Sequence, residues 1–273
     1  MINRLRRGNR MEAISIYPIG YVVSPVDHVR DMPSGGVAAE IEVLPQFQPA
    51  LERLEENSHL WIQSWFHQAP RDKLLAHPRG DLNLPQYGVF SIRSPGRPNP
   101  IALSLTKLLK VEDGRLYLQR LDAINGTPVL DIKPYFEGDI IFSPRTPYIR
   151  GRTRSSHQEQ MLRRAIAHHQ EKCHYLYLGV RMAVVADEVF GHLNNPELLV
   201  DVTGSPCLAD TIQGLSRARL ANPARFSFNP SATLQQTIWT LPNRGILTLT
   251  WLGQRDIMEC ADEELFSMDF KLE

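Results

Sequence analysis

Between residues 14 and 141 nearly all the apolar residues fall in short runs, some alternating and some continuous, each soon broken by turn residues. They read ISIYPIGYVV, AAEIEVL, HLWIQSWF, YGVFSI, IALSLTKLLKVE, RLYLQRL and TPVLDI. Runs of this length and period are strands. Asp113-Gly114 separates two of them, and both residues tolerate the positive φ of a type I′ hairpin turn. Many closely spaced strands predict a compact β-barrel, with one short helix near residues 45–54.

After residue 155 the period changes. SSHQEQMLRRAIAHHQ and HYLYLGVRMAVVADEVFGHL carry apolar residues at helical spacing, with Ser155 or Ser156 as N-cap of the first. LLVDVT reads as a strand, residues 208–215 as a helix, and ARFSFN, LQQTIWTL and GILTLTW as further β runs. This half is α+β. With 273 residues in all, two domains are expected, a mainly β domain over 11–150 and a smaller α+β domain over 156–273.

Lys+Arg and Asp+Glu balance at 30 each, yet unevenly along the chain. Residues 1–155 hold 20 basic and 16 acidic residues, a net +4, and residues 156–273 hold 10 and 14, a net −4. Much of the basic excess lies in an N-terminal tail (Arg4, Arg6, Arg7, Arg10) and in RTPYIRGRTR (Arg145, Arg150, Arg152, Arg154). Such clusters either contact phosphate or are solvated. The three cysteines, Cys173, Cys207 and Cys260, are too few for a disulfide framework, so a reducing cytoplasm is expected. No apolar run approaches the roughly 20 residues of a membrane span, and no apolar core follows the basic tail as in a signal peptide. Met11 is an alternative start.

Three segments carry candidate chemistry. In Ser91-Ile-Arg-Ser-Pro-Gly-Arg-Pro-Asn-Pro-Ile101, three prolines within six residues stiffen the loop. Arg93, Arg97 and Asn99 then form a pre-organised donor set for a carboxylate, a phosphate or a polar ligand edge, or else a rigid turn with local ion pairs. In the segment from Leu121 to Tyr135, Asp122 and Asp131 flank an Asn125-Gly126 turn signal. These carboxylates suit ribose hydroxyls, an amine or a cation, or else serve as turn and strand-end residues. The run from Ser58 to Ala69 ends in His67-Gln68, a histidine placed for catalysis or for the surface.

Taken in order, IGYVVSP, AEIEVLPQF, SHLWIQSWFHQA, HPRGD, GVFSIRSPGRPNPIALSL and LDAINGTPVLDIKPY resemble the TsaA-like family of β-barrel tRNA methyltransferases across residues 14–140. The resemblance implies an antiparallel barrel that binds S-adenosylmethionine, works as a homodimer and methylates N6 of N6-threonylcarbamoyladenosine beside the tRNA anticodon. The absence of a glycine-rich dinucleotide loop agrees with a barrel rather than a Rossmann fold. By motif, the implied cofactor contacts are Pro33, Ser34, Gly35, His67, Gln68, Arg93, Leu103, Asp122, Ala123, Ile124 and Asn125. Asp131, Asp122 and His67 are the candidate bases, and Arg97, Asn99, Arg145 and Arg150 the candidate substrate contacts. Two departures stand out: Pro33-Ser34-Gly35 replaces the family's Pro-Arg-Gln, and Asn125 replaces an acid. The C-terminal Asp-Pro-Arg-Pro-x-Tyr extension of the enterobacterial enzyme is missing.

The second half is similar to the E-type subunits of formylmethanofuran dehydrogenase over residues 165–230, on HHQEKCHYLYLGVRMAVVA and SPCLADTIQGLSRARLANPARFSF. His169, Cys173, Cys207, Asp210, Ile212 and Gln213 match that pattern, while Glu171 and His174 depart from it and the zinc-finger segment is missing. Imidazole and thiolate are the groups zinc prefers, so His169, Cys173 and Cys207 form a candidate zinc site with Glu171 or His174 as a fourth ligand. On a continuous helix His169 and Cys173 would share a face, and Cys207 would gain thiolate character at a helix start. Three readings follow: a tRNA methyltransferase, a non-catalytic S-adenosylmethionine-binding module coupled to metal or redox sensing, or a barrel methylating another substrate.

Overall fold

The computed structural model describes residues 13–253 and 256–272. The basic tail with Arg4, Arg6, Arg7, Arg10 and Met11 lies outside the described residues. The chain divides into two compact units between Ile140 and Ile141, upstream of the boundary expected at 150–156. Periodicity locates the first helix, but contacts decide membership: the Ser143 hydroxyl donates to the Arg217 carbonyl, and the Asn194 amide donates to that of Pro144.

In the first unit, β1 (Gly20–Val23), β2 (Val37–Val43), β3 (His59–Trp65), β6 (Ile101–Glu112), β7 (Arg115–Leu121) and β8 (Pro128–Pro134) close into an antiparallel barrel. β4 (Leu75–Ala76) and β5 (Tyr87–Gly88) form a separate two-stranded ribbon, so YGVFSI is strand only at its start. Alternation sends Leu60, Ile62, Leu116, Leu118, Ile41 and Val22 into the barrel interior. Register shifts interrupt the β2–β7, β6–β7 and β3–β8 pairings, the kind of bulge that lets so small a sheet curl shut. The β6–β7 hairpin turns at Asp113 and Gly114, both at positive φ as that turn requires. The short helix near 45–54 is two 3₁₀ segments, Pro45–Leu51 and Leu54–Glu56, with Pro49 inside the first, because that proline has no amide hydrogen for an α-helical bond.

The second unit is a five-stranded sheet, β10 (Phe226–Pro230), β9 (Leu199–Gly204), β11 (Gln236–Leu241), β12 (Gly245–Trp251) and β13 (Phe266–Lys271), in that order. Its helices are α1 (Arg154–His169), α2 (His174–Phe190), α3 (Pro206–Ser216) and the short α4 (Asp262–Leu265). β9 and β10 run parallel, because α3 crosses over between them. Thr153, rather than Ser155 or Ser156, caps α1 in a capping box with Ser156. Apolar around most of its circumference, α2 forms the middle of the core. It nevertheless carries two buried charges, both paired. Arg181 donates to the carbonyls of Ile257 and Cys260 and to Asp262, and Asp187 accepts from Tyr148 and approaches His157 at 2.8 Å. Among the described residues no helix is long and apolar enough to cross a membrane.

Candidate functional site

The strand registers fix which loops meet. Trp65, the end of β3, pairs with Ile101, the start of β6, and Tyr21 in β1 pairs with Pro128, the start of β8. Val37, the start of β2, lies opposite Leu121, the end of β7. Segments 33–36, 67–68, 91–99 and 122–127 therefore all leave the barrel at one rim, although 94 positions separate residue 33 from residue 127.

Contacts tie this rim together. Gly36 sits at φ +77 against the backbone of Leu121 and Asp122, where an added Cβ would come within 2.4 Å of the Leu121 carbonyl. The Pro33-Ser34-Gly35 turn closes with the Gly36 amide donating to the Pro33 carbonyl. The Asn125 side chain accepts from the Ser24 amide at 3.3 Å, and its own amide donates to the Val26 carbonyl. Asn125 thus braces the rim, and only Gly126 of the Asn-Gly pair takes positive φ. Ala123 and Ile124 are buried beneath the turn.

Asp122 is accessible yet crowded, and burial holds its carboxyl above the ordinary carboxylate range. No cation or donor contacts it among the described residues. Arg93 is exposed and likewise unpartnered. Arg97 is different: its guanidinium donates to the carbonyls of Ser94, Val89 and Ile92, and its amide to that of Pro70. It shapes the loop. Asn99 is exposed, and its carbonyl accepts from Ile101. His67 and Gln68 are exposed, with the Gln68 amide nitrogen 3.4 Å from His67 Nε2.

One level into the barrel wall, Leu103, Gln63 and Asp131 are registered side by side across β6, β3 and β8. The Asp131 carboxylate lies 2.6 Å from Lys133 Nζ and accepts from the Ile132 amide, so it is already engaged. Gln63 and Gly36 escaped the sequence reading. Only pairing reveals the first, and only the close approach to Leu121 reveals the second.

The Arg145–Arg154 stretch belongs to the second unit, where Arg150 and Arg154 pair with acids of α2 and α4. Arg150 bridges Glu188 at 3.1 Å and lies 3.6 Å from Asp187. Arg154 pairs with Glu188 and Asp262. Arg145 is exposed.

The candidate metal ligands do converge. Ligand atoms of His169, Cys173 and Cys207 lie within 4.8 Å of one another. The route differs from the sequence expectation, because α1 ends at His169 and Cys173 is the N-cap of α2. A helix end and a helix start meet here instead of one continuous face. His169 Nε2 lies 3.4 Å from Cys173 Sγ, and its Nδ1 lies 2.7 Å from Asp210. A carboxylate behind a histidine is the support that metal-binding imidazoles use. His174 turns away into an aromatic cluster with Tyr175 and Trp251, and Glu171 is outside the ligand group. The Cys207 thiol is raised rather than lowered, first by burial and then by Cys173, Glu171 and Asp210, which together outweigh the helix start.

The first unit is thus a closed antiparallel barrel with an acid, Asp122, and an arginine, Arg93, that have no partner among the described residues, on loops gathered at one end. The model of the tRNA-methyltransferase O N-terminal domain matches residues 21–139. A probable S-adenosyl-L-methionine-binding protein of Methanothermobacter thermautotrophicus is 41% identical over 128 residues, covering 45% of this chain and 91% of that protein. Another, from Archaeoglobus fulgidus, is 34% identical over 224 residues, covering 78% of this chain, which spans 60% of that relative's length. A putative S-adenosylmethionine-dependent methyltransferase of Pseudomonas aeruginosa, RcsF, is 40% identical over 137 residues, covering 43% of this chain and 55% of that protein. The chain belongs to the tRNA-methyltransferase O N-terminal domain family.

Proposed function

We propose that the first unit binds S-adenosylmethionine at this rim and methylates tRNA, at N6 of N6-threonylcarbamoyladenosine next to the anticodon. The observation that carries the reading is the convergence of four separated loops on one rim with Asp122 and Arg93 both unpaired. These groups suit the reaction: a guanidinium, Arg93, for the methionine carboxylate of the cofactor, and a carboxylate, Asp122, left without a partner among the described residues and so free to take a proton. When bound, the cofactor supplies an electrophilic methyl group.

The chain's own residues bind, orient and accept a proton. The N6 lone pair is delocalised, so a base must take its proton as the nitrogen is alkylated. Asp122 is favoured over Asp131 because its carboxylate is unpaired and burial has already made it a stronger base. The Arg97-stiffened loop holds Arg93 in place, and Arg145 is the exposed cation left for RNA phosphate. A cytoplasmic homodimer completes the reading. The test is incubation of the purified chain with labelled S-adenosylmethionine and threonylcarbamoylated tRNA, followed by nucleoside analysis. Label on the modified adenosine supports the proposal, and absence of label with cofactor still bound rejects it.

A second reading has the barrel bind S-adenosylmethionine without turnover while the second unit senses metal. His169, Cys173 and Cys207 favour it, since three such ligands suit zinc with one position left for water. His169, oriented by Asp210, would present Nε2, and the two cysteines would bind as thiolates. Elemental analysis of the wild type beside a Cys173→Ala, Cys207→Ala variant tests it: equal, near-zero metal in both removes the site.

A further inference from the structure

The second unit contains a cavity of about 280 Å³ between residues 144–149, α1, the turn after α2 and the end of α3. Arg164 of α1 and Arg217, the residue capping α3, both line it. Among the described residues neither has an ion-pair partner. Arg164 makes one long hydrogen bond, 3.4 Å to the Leu215 carbonyl, and Arg217 lies 5.5 Å from the Phe142 ring. Burial lowers both guanidinium pKa values, and that of Arg164 is lowered further by the charge of Arg217.

The carboxylate in the wall does not balance this charge. Asp187 is almost fully buried and already holds Tyr148, whose hydroxyl burial and Asp187 keep protonated. His157 Nε2 approaches Asp187 at 2.8 Å, and neither of its buried ring nitrogens makes a well-aligned hydrogen bond among the described residues. His192 stacks on Tyr148 at 5.0 Å and forms a flat wall. An adjoining groove of about 600 Å³ shares Pro144, Thr146, His192 and Asn194 with the cavity and adds Arg145 and Arg219, so its approach is also basic. Residues 141–273 hold 14 basic and 14 acidic groups, so this concentration of cation is local. Asp187 offsets part of the Arg164 charge through space, but it is shared with Tyr148, Arg150 and His157, so two guanidiniums that repel one another face one cavity with less than one carboxylate between them, an arrangement that an added anion would complete.

We propose that this cavity binds a small oxyanion, the phosphate or carboxylate of a metabolite-sized molecule, between Arg164 and Arg217, with the Tyr148–His192 pair against its organic body. The volume sits just below the range of roughly 300–1,000 Å³ usual for small-molecule sites. It asks nothing of the barrel and is separate from the cysteine cluster.

The test is calorimetric titration of the full chain with inorganic phosphate, 5′-AMP and citrate, which separates phosphate from carboxylate preference. Saturable binding of at least one probe is expected. Arg164→Met and Arg217→Met should each weaken it roughly 10- to 100-fold, as expected for loss of a charge-assisted bond. Arg163→Met, which removes a neighbour on α1 paired with Glu159, should leave it unchanged. Arg164→Lys keeps the charge without the fork and should fall between, so a packing defect in one methionine variant cannot mimic the result. No saturable binding of any probe, or equal affinity in wild type and both methionine variants, overturns the proposal. Binding of RNA that depends on these arginines while no small anion binds also overturns it, and makes the cavity part of a nucleic-acid surface.

Discussion

Replacing Gly36 and Gly35 by alanine, one at a time, isolates the contact between the 33–36 loop and the Asp122 turn. Both glycines have positive φ, +77 and +88, so each alanine carries a conformational cost of about 1–2 kcal/mol. Space separates them. A Cβ on Gly35 meets nothing within 4 Å, whereas one on Gly36 would stand 2.4 Å from both the carbon and the oxygen of the Leu121 carbonyl and 2.7 Å from the Asp122 amide nitrogen. Neighbouring backbone cannot rotate away as a side chain can, so the two loops must part by about 1 Å to reach ordinary contact at about 3.5 Å. Overpacking of this kind costs roughly a further 1–3 kcal/mol. At roughly 4 °C per kcal/mol for a unit of this size, Gly35→Ala should lower Tm by about 4–8 °C and Gly36→Ala by about 8–20 °C. Differential scanning fluorimetry gives the Tm, and calorimetry gives S-adenosylmethionine affinity, which should fall further for Gly36→Ala because Asp122 moves with the turn. Equal losses in the two variants, in both Tm and affinity, would refute the argument that these loops are apposed and set the site together.

Arg97→Met should loosen the proline loop and cost roughly 2–4 kcal/mol, as three carbonyls lose a charged donor; urea denaturation showing less than about 0.5 kcal/mol contradicts the structural role. Asp122 is raised on folding, so the folded chain holds that proton more tightly. Its stabilisation is full below the ordinary carboxylate range and fades as pH rises through the raised value. Asp122→Asn should therefore flatten the fall of Tm across that window, and an unchanged Tm–pH profile would dismiss the burial effect. Asp210→Asn should lower zinc affinity roughly 10- to 100-fold by freeing the His169 ring, measured by chelator competition; unchanged affinity would mean that Asp210 does not orient the ligand.

Local chemistry was enough to place most elements of this chain. Asp113-Gly114 turns where its tolerance of positive φ demands, and the switch from period two to helical spacing separates barrel from helices, because backbone preference and amphipathic periodicity are properties of neighbouring residues. The rim motifs could be listed from the sequence in the same way. What those residues do there was decided by tertiary structure. Arg93 and Arg97 stand four apart on one loop, yet only the second finds three carbonyls to hold. Arg150 and Arg154 read as free cations until Glu188, more than 30 positions away, arrives on α2. His169 and Cys173 share their site through a break between helices, and Cys207 joins them from α3. Arg164 and Arg217 gave no signal as a pair, since each is an ordinary helix-end or surface arginine in sequence. Whether a charged side chain is paired, buried or left facing a cavity depends on partners brought from distant positions by packing, and no local pattern encodes that distance.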